Sequence, residues 1–141
     1  MSQFGHLYSQ YYDLLYQDKD YVGEVEYIHR LIKTYKANAS TLLDMGCGTG
    51  KHAELFCDLG YHVHGIDLSL DMLEIAEKKR LGKENFLYFT HSNIQDLALN
   101  QKFDVVISLF HVMSYQNTNQ DLIKALQVAK SHLIDGGIFI F

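Results

Sequence analysis

The chain has 141 residues, of which 48% are hydrophobic and 21% charged, and its formal net charge at pH 7 is −5. This length and composition fit one globular domain and exclude a disordered chain. The acidic balance excludes a general binder of nucleic acids or anionic membranes, because that binding depends on clustered lysine and arginine.

The sequence carries no membrane or secretion signal. No apolar run reaches the roughly 18 residues of a membrane span, and residues 1–13 lack a cationic stretch followed by an apolar one. Cys47 and Cys57 do not form a metal or disulfide framework. We therefore expect a soluble cytoplasmic protein with no bound metal.

The first predicted element is a helix over residues 19–37. Apolar residues spaced by three and four form one face of it: Tyr21, Val25, Ile28, Leu31, Ile32 and Tyr35. We expect residues 1–40 to form an N-terminal helical segment or lid, and residues 41–141 to form the core.

Strand and helix patterns alternate at the start of the core. Residues 41–45 and 61–67 predict strands, and residues 50–59 between them predict a helix. That helix should end before Gly60, since glycine tolerates the positive φ found after many helix ends. Ser69 fits the N-cap of the next helix.

The same alternation continues along the chain. Asp71 lies in the first turn of the helix after Ser69, where a negative charge is favourable. Residues 85–90 predict a third strand. Residues 103–110 predict a fourth, whose β-branched and aromatic run indicates burial on both faces.

The last helix and strand complete the pattern. Asn117 with Gln120 resembles a capping box for a helix that should continue to about Ile134. Residues 135–137, DGG, should then turn the chain into a strand at 138–141. Helices between successive strands imply an α/β fold, with a parallel, doubly wound, Rossmann-like sheet and helices on both faces.

Residues 42–52, LLDMGCGTGKH, predict a strand, a tight glycine turn and the start of a helix. The phosphate loop of nucleotide hydrolases does not fit, because Met45 replaces its first glycine and His52 its serine or threonine. The dinucleotide fingerprint fits poorly, because Lys51 takes its third-glycine position. S-adenosylmethionine has no phosphate and needs only a close approach of backbone, which glycine permits.

Residues around the turn favour S-adenosylmethionine. Gly46 and Gly48 let the backbone approach its methionine part and ribose, and Asp44 can organise the turn or meet the ligand's ammonium. Asp67 ends the second strand, where its carboxylate can accept hydrogen bonds from both ribose hydroxyls.

Further polar and apolar groups converge on the adenine. Leu68 and Met72 can sandwich the ring, Asn93 can accept from its amine, and the Ile94 backbone can meet a ring nitrogen. Leu109 lies at the end of the fourth strand, which faces the same edge. These residues follow carboxyl ends of strands, where open α/β sheets bind ligands.

The chain resembles class I S-adenosylmethionine-dependent methyltransferases over essentially its whole length, most specifically in residues 42–73. Residues 4–21 resemble the N-terminal helices of the branch that methylates small molecules, including amino-sugar N-methyltransferases. The resemblance implies S-adenosylmethionine as cofactor, S-adenosylhomocysteine as product, and the strand order 3-2-1-4-5.

Two departures from the family pattern accompany this resemblance. The family sheet usually has seven strands, so we expect its last two strands to be missing and the chain to be an N-terminal part of a longer protein. The adenine position is often Asp in the family, whereas Asn93 should form a bond roughly half as strong.

The methyl acceptor is predicted to be a small molecule. The sequence has no proline, whereas relatives that methylate DNA bases or protein glutamine carry an Asn/Asp/Ser-Pro-Pro-aromatic motif after the fourth strand. His111 is the candidate base if the acceptor arrives protonated, and Tyr115 can orient the acceptor; either residue can instead be packing. By resemblance, Tyr12 contacts the cofactor.

Three alternatives stay open at this point. The chain can be a noncatalytic S-adenosylmethionine-binding module or a fragment without its acceptor-binding part. The chain can also be a protein or RNA methyltransferase, or an NAD-dependent oxidoreductase. Apolar residues in the last strand also predict a surface suited to a homodimer.

Overall fold

A computed structural model describes residues 20–109 and 118–141. The described elements follow in chain order: α1 (Tyr21–Tyr35), β1 (Thr41–Met45), α2 (Lys51–Asp58), β2 (His62–Asp67), α3 (Leu70–Lys78), β3 (Leu87–His91), a 3₁₀ turn (Ile94–Asp96), β4 (Phe103–Ile107), α4 (Asn119–Ser131) and β5 (Leu133–Ile140). Within this part of the chain, no helix is long and apolar enough to cross a bilayer.

The strands form one sheet in the order β3-β2-β1-β4-β5, and every neighbouring pair is parallel. The predicted α/β class and strand order are therefore confirmed. Because all the strands run the same way, their carboxyl ends meet at one edge of the sheet. Residues that follow β1, β2, β3 and β4 are consequently gathered at that edge.

The apolar core lies on both faces of the sheet. Alternate residues of β1 point to opposite sides, so that Leu42 packs with residues of α1 and α2, while Leu43 packs with residues of α4. Both leucines are fully buried. Two covered faces explain why β4 is a near-continuous run of apolar residues.

The observed helix ends agree in part with those predicted from the sequence. The Ser69 hydroxyl accepts a hydrogen bond from the Met72 amide at 3.2 Å, which confirms the predicted N-cap of α3. Gly60 follows α2 with φ 101°, as expected after a helix end. The N-cap of α4 is Thr118, whose hydroxyl accepts from the Asp121 amide at 3.0 Å. Asn117, the predicted cap, lies outside the described residues.

The predicted turn at residues 135–137 is wrong. β5 already begins at Leu133 and continues through this segment, where Gly136 has φ 77° and the register against β4 shifts. The extra residues are absorbed as a bulge in the strand. Helix α4 accordingly ends at Ser131 rather than near Ile134.

One predicted core position of α1 is also wrong. Tyr35 is 73% exposed, whereas the buried residues of this helix are Tyr21, Val25, Ile28 and Ile32. Tyr35 is the last residue of α1, so its side chain extends past the layer that covers the sheet. The division of the chain at residue 40 stays a prediction.

Candidate functional site

The glycine turn joins β1 to α2 and is fastened to the end of β2. The backbone amides of Gly46 and Cys47 donate to the Ile66 carbonyl at 2.9 and 2.8 Å. Gly46 and Gly48 have φ of 82° and 57°, in the left-handed region that favours glycine. A β-carbon built on Gly48 would meet no atom of the described residues within 4 Å, so among them the backbone there borders open space.

The third glycine of the turn serves a different purpose. Gly50 has φ 82°, and a β-carbon there would lie 2.9 Å from the Phe89 ring and 3.1 Å from the Ala76 β-carbon. It therefore lets α2, α3 and β3 pack closely. The dinucleotide fingerprint assigns this packing to its own third glycine, and here the role falls one residue earlier.

Asp67 links three parts of the site. One carboxylate oxygen accepts from the Gly48 amide at 2.8 Å, and the other accepts from the Ser69 amide at 2.9 Å. The Asp67 carbonyl accepts from the Ser92 amide at 3.0 Å. Because an ionised carboxylate offers about four lone-pair sites, both oxygens keep capacity for the ribose hydroxyls predicted from the sequence.

Asp44 lies below the turn at the end of β1 and is only 3% exposed. Burial raises the pKa of this carboxyl, and the nearby Asp67 carboxylate raises it further, from 3.8 to about 7. Asp44 thus differs from Asp67, whose oxygens each accept a backbone amide. The two acids offer a ligand distinct environments.

The predicted adenine-binding residues differ in exposure. Leu68 is 64% exposed at the edge, whereas Met72 is 8% exposed and buried. Leu68 therefore presents apolar surface to a ligand, and Met72 supports the start of α3 from within the core.

The Asn93 side chain closes the loop after β3. Its amide oxygen accepts from the Gln95 backbone at 3.1 Å and caps the 3₁₀ turn that begins at Ile94. An amide oxygen has two lone pairs, so one remains for an adenine amine. The Ile94 side chain packs against the core cluster that contains Met45 and Ile66, which holds this turn at the sheet edge.

The end of β4 reaches the same edge. The Ser108 amide donates to the Ile140 carbonyl at 2.9 Å, and the half-buried Leu109 packs against the cluster that contains Leu42 and Ile107. The remaining candidates, Tyr12, His111 and Tyr115, lie outside the described residues.

Several contacts of the site lie beyond what the sequence indicated. The run KKR at residues 78–80 has the composition of a solvated helix end. Lys78 is exposed as that composition predicts, whereas the prediction is wrong for Lys79 and Arg80. The Lys79 ammonium donates to the Thr49 carbonyl at 2.7 Å, inside the glycine turn. The Arg80 guanidinium donates to the Leu87 carbonyl at 2.6 Å. No local signal distinguishes Lys79 from a solvated lysine, because its partner is thirty positions away in the sequence.

Gly65 is a further residue that the sequence did not single out. A β-carbon there would lie 2.9 Å from the Cys47 sulfur and 2.8 Å from the Phe89 ring. Gly65 therefore lets the glycine turn lie directly on β2. Cys47 is 8% exposed, and burial together with Asp44 and Asp67 raises the pKa of its thiol, in keeping with a packing role.

In the described part of the chain, no group of three or more histidine, cysteine, aspartate or glutamate side chains could hold a metal ion. Four buried or half-buried histidines of the described residues have hydrogen-bond partners within the fold. They are His29 with the Tyr61 hydroxyl, His52 with the Glu24 carboxylate, His64 with the Thr90 hydroxyl, and His132 with the Val128 carbonyl and the Leu99 amide.

Comparison with known proteins gives a family match. The family model described as a methyltransferase domain matches residues 42–137. A dTDP-3-amino-3,4,6-trideoxy-alpha-D-glucopyranose N,N-dimethyltransferase from Streptomyces venezuelae is 36% identical over 131 residues, which are 92% of this chain and 54% of that relative. A dTDP-3-amino-3,6-dideoxy-alpha-D-glucopyranose N,N-dimethyltransferase from Streptomyces fradiae is 31% identical over 94% of this chain and 51% of its own length.

Solved structures agree with this match. The crystal structure of Streptomyces venezuelae DesVI superposes with a TM-score of 0.80 at 34% identity, over 92% of this chain and 54% of that one. The S-adenosylmethionine-bound structure of CalS10, an amino pentose methyltransferase from Micromonospora echinaspora, superposes with a TM-score of 0.84 at 28% identity, over the same shares. The chain thus spans about half the length of the relatives it matches.

Proposed function

The chain belongs to the methyltransferase domain family, and from that premise we propose that it binds S-adenosylmethionine and takes part in methylating a small-molecule amine. The sugar N,N-dimethyltransferases that it resembles point to an amino group on a nucleotide-linked sugar as the acceptor. The observation that carries the proposal is the Asp67 carboxylate, held by the Gly48 and Ser69 amides at the open sheet edge.

The residues at the edge suit each part of this cofactor. Gly48 borders open space among the described residues. We expect the methionine part and ribose to lie there, along the backbone of Gly46 and Gly48, and Asp44 to meet the ammonium. The half-buried Asp67 keeps acceptor capacity for two ribose hydroxyls. Asp67 is therefore the anchor of the proposed site.

The adenine end of the proposed site is less polar. The exposed side chain of Leu68 would cover one face of the ring, with Met72 behind it. Asn93 would accept from the adenine amine, and the Ile94 backbone would donate to a ring nitrogen. Leu109 would bound the site on the side of β4.

When bound, S-adenosylmethionine supplies a methyl group that an acceptor lone pair takes in line, while the carbon–sulfur bond breaks and its electron pair stays on sulfur. The protein then mainly has to hold the two partners in line, an effect worth up to roughly 7–11 kcal/mol. We assign acceptor positioning to Tyr115 and cofactor contact to Tyr12. His111 would remove a proton from an acceptor that arrives as an ammonium.

Binding calorimetry with S-adenosylhomocysteine tests the cofactor site. Asp67→Ala should weaken binding by a factor of about one hundred or more, because two hydrogen bonds to a charged acceptor contribute roughly 1.5–3 kcal/mol each. Asp58→Ala is the matched control, since Asp58 pairs with the Lys83 ammonium at the surface, at 3.3 Å. Absence of binding by the folded chain would sink the proposal.

A noncatalytic role is the second candidate, because the contacts that carry the proposal concern cofactor binding and not the acceptor. In that case the chain would bind the cofactor without turnover. A methyl-transfer assay on nucleotide-linked amino sugars separates the two candidates. Turnover would exclude a purely noncatalytic role, whereas cofactor binding without transfer to any amine or hydroxyl compound would support it.

We further propose that two copies associate through β5 and that the protein works in the cytoplasm. β5 lies at the edge of the described sheet, and Ile138, Phe139 and Ile140 are only half-buried there. Sedimentation of the wild type and of Phe139→Lys tests the association. A wild type that stays monomeric at high concentration would remove this part of the proposal.

A further inference from the structure

Two carboxyl side chains, Asp44 and Asp67, lie on the same face of the sheet beside the glycine turn. Leu42 of β1 and Val63 of β2 are paired in register and pack in one cluster. Asp44 is two residues beyond Leu42, and Asp67 is four beyond Val63. Because side chains alternate along a strand, both acids point to the same side as that cluster.

The surroundings of the two acids are unequal. Asp67 is half-buried, and each of its carboxylate oxygens accepts a hydrogen bond from a backbone amide. Asp44 is 3% exposed. Among residues 20–109 and 118–141, no salt bridge or side-chain hydrogen bond joins it to a partner. Ionising Asp44 would place a second, unpaired negative charge beside the first.

The charged groups on the neighbouring elements do not neutralise Asp44. From the turn it meets the Cys47 thiol, which stays uncharged because its pKa is raised. The Lys79 ammonium, from the end of α3, donates to the Thr49 carbonyl. His52 of α2 pairs with Glu24 of α1 at 2.9 Å. Burial and the Asp67 charge together raise the pKa of Asp44 to about 7.

We propose that Asp44 holds a proton in the ligand-free protein at about pH 6, and that binding of a ligand with an ammonium group at the glycine turn releases this proton. The inference rests on the proposed function, because it takes S-adenosylmethionine or S-adenosylhomocysteine to be that ligand. The proton leaves the Asp44 carboxyl for the solvent, and the resulting carboxylate pairs with the ligand's ammonium. Cofactor binding is thereby coupled to pH through one residue.

The sign of the coupling follows from mass action. Binding that releases a proton is favoured when protons are scarce, so the affinity should rise with pH. With Asp44 titrating near neutrality in the free protein, the affinity at about pH 6 should be about tenfold weaker than at about pH 8. A site without this coupling would show no such trend beyond the titration of the ligand itself.

Titration calorimetry with S-adenosylhomocysteine, in two buffers of different ionisation heat, counts the protons released. We expect release of nearly one proton at about pH 6 and of nearly none at about pH 8.5. Asp44→Asn should release the same number of protons at both pH values, while Asp58→Asn, a surface control, should keep the wild-type difference. Comparing the two variants distinguishes protons released by Asp44 from protons released by the ligand.

The outcomes are distinguishable. Binding by the wild type with the same proton count at both pH values would overturn the coupling and leave the proposed function intact. Absence of any binding heat would overturn the proposed function, and this inference with it. Carbon-13 spectra of the aspartate carboxyls of the free protein give a second measurement. A carboxyl signal that titrates near neutrality in the wild type and is missing from Asp44→Asn would support the inference. If the wild type shows no such signal, the inference is refuted.

Discussion

Replacing Gly50 or Gly48 with alanine tests the different roles inferred for the two glycines. Both have positive φ, 82° and 57°, so alanine at either site costs about 1–2 kcal/mol of backbone strain. At Gly50 the added methyl would also lie 2.9 Å from the Phe89 ring and 3.1 Å from the Ala76 β-carbon. Overpacking of this kind adds typically about 1–3 kcal/mol.

Gly50→Ala should therefore destabilise the free protein by about 2–5 kcal/mol, and Gly48→Ala by only about 1–2 kcal/mol. Urea unfolding measures both, provided that the denaturant slope is unchanged, so that the midpoint shift reports stability. Gly48→Ala is the matched control, because it shares the left-handed backbone and borders open space. Equal losses at the two positions would refute the packing role of Gly50.

Three further perturbations test other parts of the molecule. The pKa of Asp44 is raised from 3.8 to about 7, so the folded state binds more protons than the unfolded state, and wild-type stability should fall as pH rises through that window. In urea titrations, the stability of Asp44→Asn should depend less on pH, and above neutral pH the variant should be up to about 4 kcal/mol more stable than the wild type. An equal dependence on pH in the two proteins would contradict this expectation. Burial, aided by His132, lowers the pKa of His64 below 6.5, so the folded protein should lose stability as the pH falls below that value. In thermal melts, the melting temperature of His64→Gln should fall less on acidification than that of the wild type. Asp104 accepts from the Ser40 and Thr41 amides at 2.8 and 3.0 Å, so Asp104→Ala should cost about 1–3 kcal/mol in chemical denaturation. A loss near zero would mean that water replaces the carboxylate.

The pattern of local signals predicted much of the fold. The spacing of apolar residues marked α1, and the near-continuous run of residues 103–110 marked the buried strand β4. Ser69 and Gly60 correctly marked the start of α3 and the end of α2. These features depend on the periodicity and backbone preferences of a few adjacent residues, which a sequence displays directly.

Predictions failed where distant residues decide the outcome. The segment Asp135–Gly137 has strong turn chemistry, yet it became a bulge because β5 pairs with β4 on both sides of it. Lys79 has the character of a solvated helix end, yet its partner is the Thr49 carbonyl, thirty positions away. Such pairings arise only when the chain is folded.

The candidate site shows the same division. The sequence by itself determined the glycine turn, the acid before it and the acid at the end of β2, and these pointed to the methyl donor. Only the tertiary structure decided that Asp67 ties Gly48 to α3 and that Asp44 is buried beside it with a raised pKa. The physical reason is that residue types and spacings are local, whereas desolvation and charge–charge interaction depend on which groups the fold brings together.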